Sequence, residues 1–416
     1  MFGLAHGSVF SIRQDLPLIV LEVKPCSHKL INAIWIEAGR RKKHNTTLES
    51  FHHSISFYCQ KDIIQKMSES LQSVLIIGGS GFLGLHLIEQ FYRHCPNVAI
   101  TVFDVRPLPE KLSKYFTFDP SKIQFFKGDL TSDKDVSDAI NQSKCDVIVH
   151  SASPMHGLPQ EIYEKVNVQG TKNLLLVAQK LHVKALVYTS SAGVIFNGQD
   201  VINADETWPY PEVHMDGYNE TKAAAEEAVM KANDNDQLRT VCLRPAGIFG
   251  PGDRQLVPGL RASAKLGQLK YQLGDNNNLF DWTYVGNVAD AHVLAAQKIL
   301  DKSTRDDISG QTFFITNDSP TYFWTLARTV WKNDGYIDKY YIKLPYPVAL
   351  TLGYISEFVA KNILKKEPGI TPFRVKVVCA IRYHNIAKAK KLLGYKPEVD
   401  LETGINYTLD WMNEDL

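Results

Sequence analysis

The sequence predicts an α/β fold, a doubly wound parallel sheet carrying a smaller C-terminal lobe, and three observations predict it. Apolar runs rich in β-branched and aromatic residues recur at Val74–Gly78, Ile100–Asp104, Ile123–Phe126, Val147–His150, Ala185–Thr189, Thr240–Arg244 and Phe313–Thr316. Helix-compatible segments separate most of them, among them Phe82–His94, Asp133–Asn141, Tyr163–Lys180 and Tyr218–Ala232. Strands that are apolar throughout and alternate with helices belong to a parallel sheet covered on both faces. After Gly250 the cadence loosens into Gly250-Pro251-Gly252-Asp253, a polar run at Gly274–Asn278 and a Tyr/Phe/Trp-rich region from 321 to 346. That pattern predicts a substrate-binding lobe, mainly from residue 251 onward, on a dinucleotide-binding core of about 73–250.

Composition bounds the function classes. The chain has 416 residues, 44% hydrophobic and 22% charged, with a formal net charge of +1. No global field therefore points to nucleic acid or acidic lipid. The six cysteines (Cys26, Cys59, Cys95, Cys145, Cys242, Cys379) form no CxxC pair, which predicts reduced thiols and no metal site. No uninterrupted apolar stretch of about 20 residues predicts a membrane span.

Residues 1–66 read differently from the rest. They mix short apolar pieces with a basic cluster, Arg40-Arg41-Lys42-Lys43, and show no sustained period. Met67 is the next methionine after Met1 and begins a short lead-in to the first strand. The expectation is a poorly ordered N-terminal extension over 1–66 and one dehydrogenase-like domain over 67–416.

The first strand runs into Gly78-Gly79-Ser80-Gly81-Phe82-Leu83-Gly84 and then a helix. This GxxGxxG spacing allows a tight turn, close approach of backbone N–H groups to a pyrophosphate, and helix packing on the strand; the helix N-terminus adds partial positive charge. Asp104 ends the second strand, 20 residues after Gly84. A carboxylate there accepts from both adenosine ribose hydroxyls and repels a 2′-phosphate, which favours NAD; Arg106 leaves NADP open. Asp129 and Leu130, after the third strand, and Ser151-Ala152-Ser153, after the fourth, are expected along the cofactor channel.

Tyr218-Asn219-Glu220-Thr221-Lys222 puts a phenol and an ammonium on one helix face. A nearby cation favours the phenolate, so Lys222 is expected to lower the Tyr218 pKa and to bind the nicotinamide ribose. Ser191, 27 residues earlier at the end of the fifth strand, is favoured over Ser190 to hold the substrate oxygen while Tyr218 takes its proton. Strand alternation turns the two serines apart. Asn167 either positions a water or the lysine, or packs a helix.

These residues, with Leu243–Gly252, Asp281–Asp290, Ser151–Gly157, Ser190–Gly198 and Thr371–Val375, resemble the extended short-chain dehydrogenase/reductase family and, within it, the 3β-hydroxysteroid dehydrogenase branch. The resemblance covers about residues 69–416. It implies a Rossmann-type fold and NAD(P)-dependent oxidation of the 3β-hydroxyl of a 4α-carboxysterol to the 3-ketone. Loss of CO₂ follows, as part of sterol C4 demethylation. Pro245, Ala246, Gly247 and Ile248 would then lie against the nicotinamide, with Ser191 and Tyr218 on the substrate. It also implies association with other enzymes of a sterol C4-demethylation complex, a homodimer, and a peripheral place on the cytosolic face of the endoplasmic reticulum membrane.

A lipid substrate gives meaning to Tyr346–Leu364. Its apolar positions 348, 352, 355, 359 and 363 keep helical spacing, Glu357 and Lys361 stand i,i+4, and Lys365-Lys366 follow. The segment predicts a helix that lies on a membrane surface or packs on the sheet, and the lipid substrate favours the membrane. Two rival functions remain at this stage. A dehydrogenase for another hydroxysteroid or a nucleotide-sugar enzyme shares the motifs, although the latter calls for a more polar lobe. A non-catalytic dinucleotide sensor or scaffold usually lacks the Tyr–Lys pair.

Overall fold

Seven parallel strands form one sheet, and each matches one of the seven apolar runs read from the sequence. They are β1 (Ser73–Ile77), β2 (Ala99–Asp104), β3 (Gln124–Lys127), β4 (Val147–His150), β5 (Ala185–Thr189), β6 (Arg239–Pro245) and β7 (Gln311–Ile315). The computed structural model describes residues 71–414 apart from 338, 339 and 367, so the expected N-terminal extension lies outside the described residues. Strand order is β7-β6-β5-β4-β1-β2-β3. The order reverses between β1 and β4, and in such sheets ligands bind in the crevice at the carboxyl ends of the strands.

The alternation of β1 shows why this sequence forms a covered sheet. Val74 and Ile76 face a core with Leu87, Ile88 and Phe91 of helix α1 (Phe82–His94) and with Val288 and Ala295 of another helix, Val285–Leu300. Leu75 and Ile77 face the opposite core, built with Ala139 of helix α2 (Asp133–Ser143), Leu174 of α3 (Thr171–Lys180) and Val229 of α4 (Gly217–Lys231). All four strand residues are at most 1% exposed, so each face removes its side chains from water, at about 1.5–3 kcal/mol per large apolar side chain.

The smaller lobe is interleaved with the core rather than appended after residue 251. Its four-stranded sheet joins Thr321–Tyr322, Leu279–Phe280, Arg382–His384 and Val201–Ala204, while β7 returns to the large sheet. Val201–Ala204 precedes the expected boundary, because its partner Arg382–His384 is 178 or more residues away and no local pattern announces it. The lobe's aromatic residues largely pack on one another: Phe249, Phe280, Trp282, Tyr284, Phe323, Trp324 and Trp331 share a cluster. Trp324 donates to the Leu273 carbonyl at 3.0 Å and Trp331 to the Leu260 carbonyl at 2.8 Å, which satisfies their indole N–H groups.

The C-terminal segment is tied to the core by buried asparagines. Asn287 donates to the Val399 carbonyl and to Asn317, and accepts from the amides of Glu398 and Val399. Cys95, Cys145 and Cys242 are buried free thiols and Cys379 a partly buried one; Cys26 and Cys59 lie outside the described residues. Among the described residues no helix is long and apolar enough to cross a membrane.

Candidate active site

The glycine turn has the shape its spacing predicts. Gly78 has φ +86°, and a Cβ there would stand 2.7 Å from the backbone of Ala152 at the end of β4. A Cβ on Gly84 would stand 2.2 Å from the Gly78 carbonyl oxygen, so only glycine lets α1 seat this close to β1. Gly81, Phe82 and Leu83 open α1, and the Gly81 amide donates back to the Gly78 carbonyl at 3.1 Å. The Ser80 hydroxyl is buried without a partner, and an unsatisfied hydroxyl in a turn at a helix N-terminus suits a phosphate oxygen.

Asp104 sits beside this turn. One carboxylate oxygen accepts from the Ser80 amide at 3.1 Å and the other from the Arg106 amide at 3.0 Å, which holds it at the crevice edge. The Arg106 side chain is exposed. Asp129 is exposed and its carboxylate accepts from both the amide and hydroxyl of Thr131 at 2.8 Å, bonds that hold its pKa below the usual range. Leu130 is buried against Gly170. Ser151 donates its hydroxyl to the Ile77 carbonyl at 3.0 Å, joining the ends of β4 and β1. A nicotinamide dinucleotide fits this donor set: a glycine cradle, a free hydroxyl and a strand-end carboxylate.

Helix α4 carries the Tyr–Lys pair. Asp216 caps it by accepting from the Asn219 amide at 2.8 Å, and this cap starts the helix one residue before Tyr218. A buried ion pair fixes α4 against β6: Arg244 donates to both oxygens of Glu226 at 3.0 Å, and Tyr210 donates to Glu226 at 2.5 Å. Lys222 is 2% exposed; it donates to the Thr189 carbonyl at 2.5 Å and lies 4.3 Å from the Tyr188 ring centroid. Burial pulls its pKa down to about 7, against a smaller opposing pull from Glu226.

The expected lowering of the Tyr218 pKa by Lys222 is not found in the chain alone. Burial pushes the phenol up to about 12; the hydrogen bond with Ser153 opposes this, and Asp216 and Tyr163 add to it. Lys222 directs one N–H to Thr189 instead. Its other N–H groups have no protein acceptor among the described residues.

The two serines part as alternation requires. Ser190 is 3% exposed with its hydroxyl buried and unpartnered, while Ser191 is partly exposed and accepts from the Gly193 amide at 3.0 Å. A Cβ on Gly193 would stand 2.1 Å from the Asn219 side-chain oxygen. The turn after Ser191 therefore packs directly on the residue after Tyr218. Ala246 and Gly247 follow β6, and a Cβ on Gly247 would meet Phe280 at 2.8 Å, so Pro245–Ile248 approaches the aromatic lobe closely.

Asn167 resolves toward a polar link. It sits in a π-helical stretch, Glu164–Gly170, that continues into α3. It accepts from Ser153 at 3.0 Å and donates to Thr221 at 3.1 Å, joining the strand-end serine to the Tyr–Lys helix. Such π-turns recur at functional sites because they re-aim a side chain.

Sequence reasoning missed three neighbours. The His156 ring centroid lies 3.8 Å from that of Tyr218, its Nδ1 is 3.8 Å from Asp216, and Tyr163 meets Tyr218 edge-on at 5.8 Å. Asp216 was findable as a helix-cap residue before the YxxxK run. His156 and Tyr163 lie about 60 residues away in sequence and carry no local signal of this contact.

The 3-beta hydroxysteroid dehydrogenase/isomerase family model matches residues 75–346. Sterol-4-alpha-carboxylate 3-dehydrogenase, decarboxylating, of Candida albicans is 99% identical over 350 residues, covering 84% of this chain and 100% of that protein. The human protein of that name is 36% identical over 353 residues, covering 83% of this chain and 90% of that one. Among solved structures, UDP-glucose 4-epimerase of Thermotoga maritima has a TM-score of 0.61 at 20% identity, covering 82% of this chain and 98% of its own, a likeness of fold. With this sheet, this glycine cradle and these relatives, the chain belongs to the 3-beta hydroxysteroid dehydrogenase/isomerase family.

Proposed function

We propose that this chain oxidises the 3β-hydroxyl of a 4α-carboxysterol to the 3-ketone with loss of CO₂, using NAD in preference to NADP, as a step of sterol C4 demethylation. The observation that carries this reading is the 99% identity to a decarboxylating sterol-4-alpha-carboxylate 3-dehydrogenase along that protein's whole length. Turnover of a 4-carboxysterol set against a UDP-sugar tests it: the sterol acid alone is expected to react.

In this reading the Gly78–Gly84 backbone and Ser80 hold the pyrophosphate and Asp104 the adenosine ribose. Asp129 and Leu130 flank the adenine, Ser151–Ser153 and Pro245–Ile248 line the channel, and Lys222 holds the nicotinamide ribose. When bound, NAD takes up the hydride that leaves C3. Ser191 holds the substrate oxygen and Tyr218 accepts its proton. The ketone so formed lies β to the carboxylate. The electrons of the breaking C4–carboxyl bond then pass into an enolate, whose oxygen Tyr218 and Ser191 stabilise by donating to it. Ser153, whose hydroxyl opposes the rise in the phenol's pKa, and Asn167 link the end of β4 to the Tyr–Lys helix.

Cofactor choice rests on Asp104. Asp104→Asn keeps an acceptor for the Ser80 amide while removing the charge. We expect kcat/KM with NAD to fall about tenfold and the NAD/NADP preference to narrow, the loss of about one charged hydrogen bond. An unchanged preference would place ribose recognition elsewhere.

The reading also places the chain on a membrane surface, the cytosolic face of the endoplasmic reticulum, beside other enzymes of C4 demethylation and as a homodimer. Helix α5 (Tyr346–Phe358), with the π-turn Val359–Leu364, supports the membrane contact. Its small residues Ala349, Gly353 and Ala360 face inward, whereas Leu352, Ile355, Phe358 and Ile363 are 41–66% exposed. A helix packed on the sheet would bury the large residues instead. Lys361, paired with Glu357 at 2.5 Å, and Lys365 and Lys366 border the apolar face. Beside Tyr346 opens a cavity of about 710 Å³, within the size range of ligand pockets. Replacing Leu352, Ile355 and Phe358 with serine is expected to weaken co-sedimentation with phosphatidylserine-containing vesicles on the order of 100-fold. Undiminished binding would move the contact to another face.

A further inference from the structure

The reaction proposed above leaves one proton without a carrier. The sterol hydroxyl gives a proton to Tyr218, and the enolate left by CO₂ must gain one at C4 before a 3-ketone can leave. The two cancel, so the site needs a group that moves a proton on from the phenol to the neighbouring carbon. Such a group works best with a pKa near the operating pH, which points to an imidazole. Lys222 is committed elsewhere: its ammonium donates to the Thr189 carbonyl at 2.5 Å and, in this reading, holds the nicotinamide ribose.

His156 has the placement. Its ring lies on that of Tyr218, with centroids 3.8 Å apart and planes tilted by 41°. Asp216 serves both residues: one carboxylate oxygen caps α4, and the other stands 3.8 Å from His156 Nδ1. A carboxylate on that side keeps the proton on Nδ1 and leaves the Nε2 lone pair open. Nε2 has no hydrogen-bond partner among the described residues, and the side chain is 48% exposed, so water reaches it. Burial lowers the His156 pKa and Asp216 opposes this. The resting ring is therefore neutral and able to accept a proton, and the same carboxylate steadies the imidazolium once it forms. The loop carrying His156 is held in place. The Tyr163 hydroxyl donates to the Met155 carbonyl at 2.8 Å and accepts from the Leu158 amide at 2.9 Å. Tyr163 also meets Tyr218 edge-on, so one residue braces both rings.

We propose that His156 is a further catalytic residue, the group that delivers a proton to C4 after CO₂ has left. This rests on the 4α-carboxysterol reading above and extends it to one step. While the enolate stands, Tyr218 donates to its oxygen. As it collapses, the phenol's proton passes to Nε2 through water at the exposed ring edge. The N–H bond then breaks as the C4–H bond forms from the enolate's electron pair, and the C3–O double bond closes. Imidazole and phenolate are left as they began, with no proton gained or lost over the cycle.

The test runs single turnovers of wild type, His156→Phe and His156→Gln in D₂O, with NAD and a 4α-carboxy-3β-hydroxysterol that has no methyl at C4. NADH, CO₂ and 3-ketosterol are timed separately, the ketone is trapped with borohydride, and NMR reads which face of C4 carries deuterium. Wild type is expected to place deuterium on one face, with ketone appearing as fast as CO₂. His156→Phe keeps a ring on Tyr218 but has no nitrogen. In that variant ketone formation is expected to fall about 100-fold behind CO₂, with deuterium on both faces, while NADH formation changes far less. His156→Gln gives the same split. Ketone that keeps pace with CO₂, deuterated on one face, in both variants would overturn the assignment. Equal slowing of NADH and ketone would overturn it too, as the behaviour of a residue that only positions Tyr218. A wild-type chain that forms NADH and releases no CO₂ would overturn the functional reading itself, and this assignment with it.

Discussion

Replacing Tyr218 with phenylalanine is expected to lower kcat by about 10³-fold, within the usual range for loss of a general acid–base group and equivalent to about 4 kcal/mol. KM and NADH binding should change little, because the ring and its contacts with His156 and Tyr163 remain. The size of the effect follows from what the hydroxyl must do. With its pKa pushed up to about 12, the phenol in the unliganded chain is ionised in about one molecule in 10⁵ at pH 7. A working base near neutrality needs about five units of relief, or about 7 kcal/mol. Lys222 is the cation at hand on the same helix, held in place by Thr189 and with N–H groups to spare. Steady-state and single-turnover kinetics of Tyr218→Phe check this. Turnover near the wild-type rate would mean that another group takes the proton.

Acidification is expected to destabilise the fold steeply between pH 7.5 and pH 5. His86, His150 and His292 are buried, and burial pulls their pKa values to about 4, about 3 and about 4. His292 is fixed as the neutral ring: Nδ1–H donates to the Val288 carbonyl at 2.8 Å, leaving Nε2 to accept from Thr189 at 2.7 Å. A histidine with a folded pKa below its unfolded 6.5 favours folding fully above pH 6.5. It loses that contribution as pH falls toward the folded value, since only the unfolded chain takes up the proton. At pH 5 each costs about 2 kcal/mol, so three cost about 6. Asp290 opposes them: burial lifts its pKa to about 7, so protonation below pH 7 stabilises the fold by about 2–3 kcal/mol. The net loss is about 3–4 kcal/mol, readable as a fall in the urea midpoint at pH 5. A flat or rising midpoint would contradict the burial of these rings.

The large sheet was legible because its signal is local. Runs such as Leu75-Ile76-Ile77 and Val147-Ile148-Val149 are apolar and buried on both faces, whereas the edge strand Gln124–Lys127 keeps two phenylalanines between exposed polar ends. The glycine turn and the Tyr–Lys helix were legible for a similar reason, since spacing within a few residues fixes their geometry. What escaped was non-local. The lobe sheet pairs Val201 with Arg382, and no window of sequence contains both. The same distance hid the ring contact of His156 with Tyr218. Periodicity marked the Tyr346–Leu364 stripe but not which side faces out. Exposure of the large residues and burial of Ala349 and Gly353 decide that. The expectation for the Tyr218 pKa went astray on energetics. Spacing places Lys222 on the same face, yet the Thr189 carbonyl engages its ammonium, and desolvation dominates the phenol.

The most direct measurement of the central claim is product stoichiometry with the full chain, NAD and a 4α-carboxy-3β-hydroxysterol labelled with ¹³C in the carboxyl group. The account predicts one labelled CO₂ and one NADH for each 3-ketosterol formed, with both lost together in Tyr218→Phe. NADH formed while the label stays in the sterol would contradict it, as would CO₂ released without NADH.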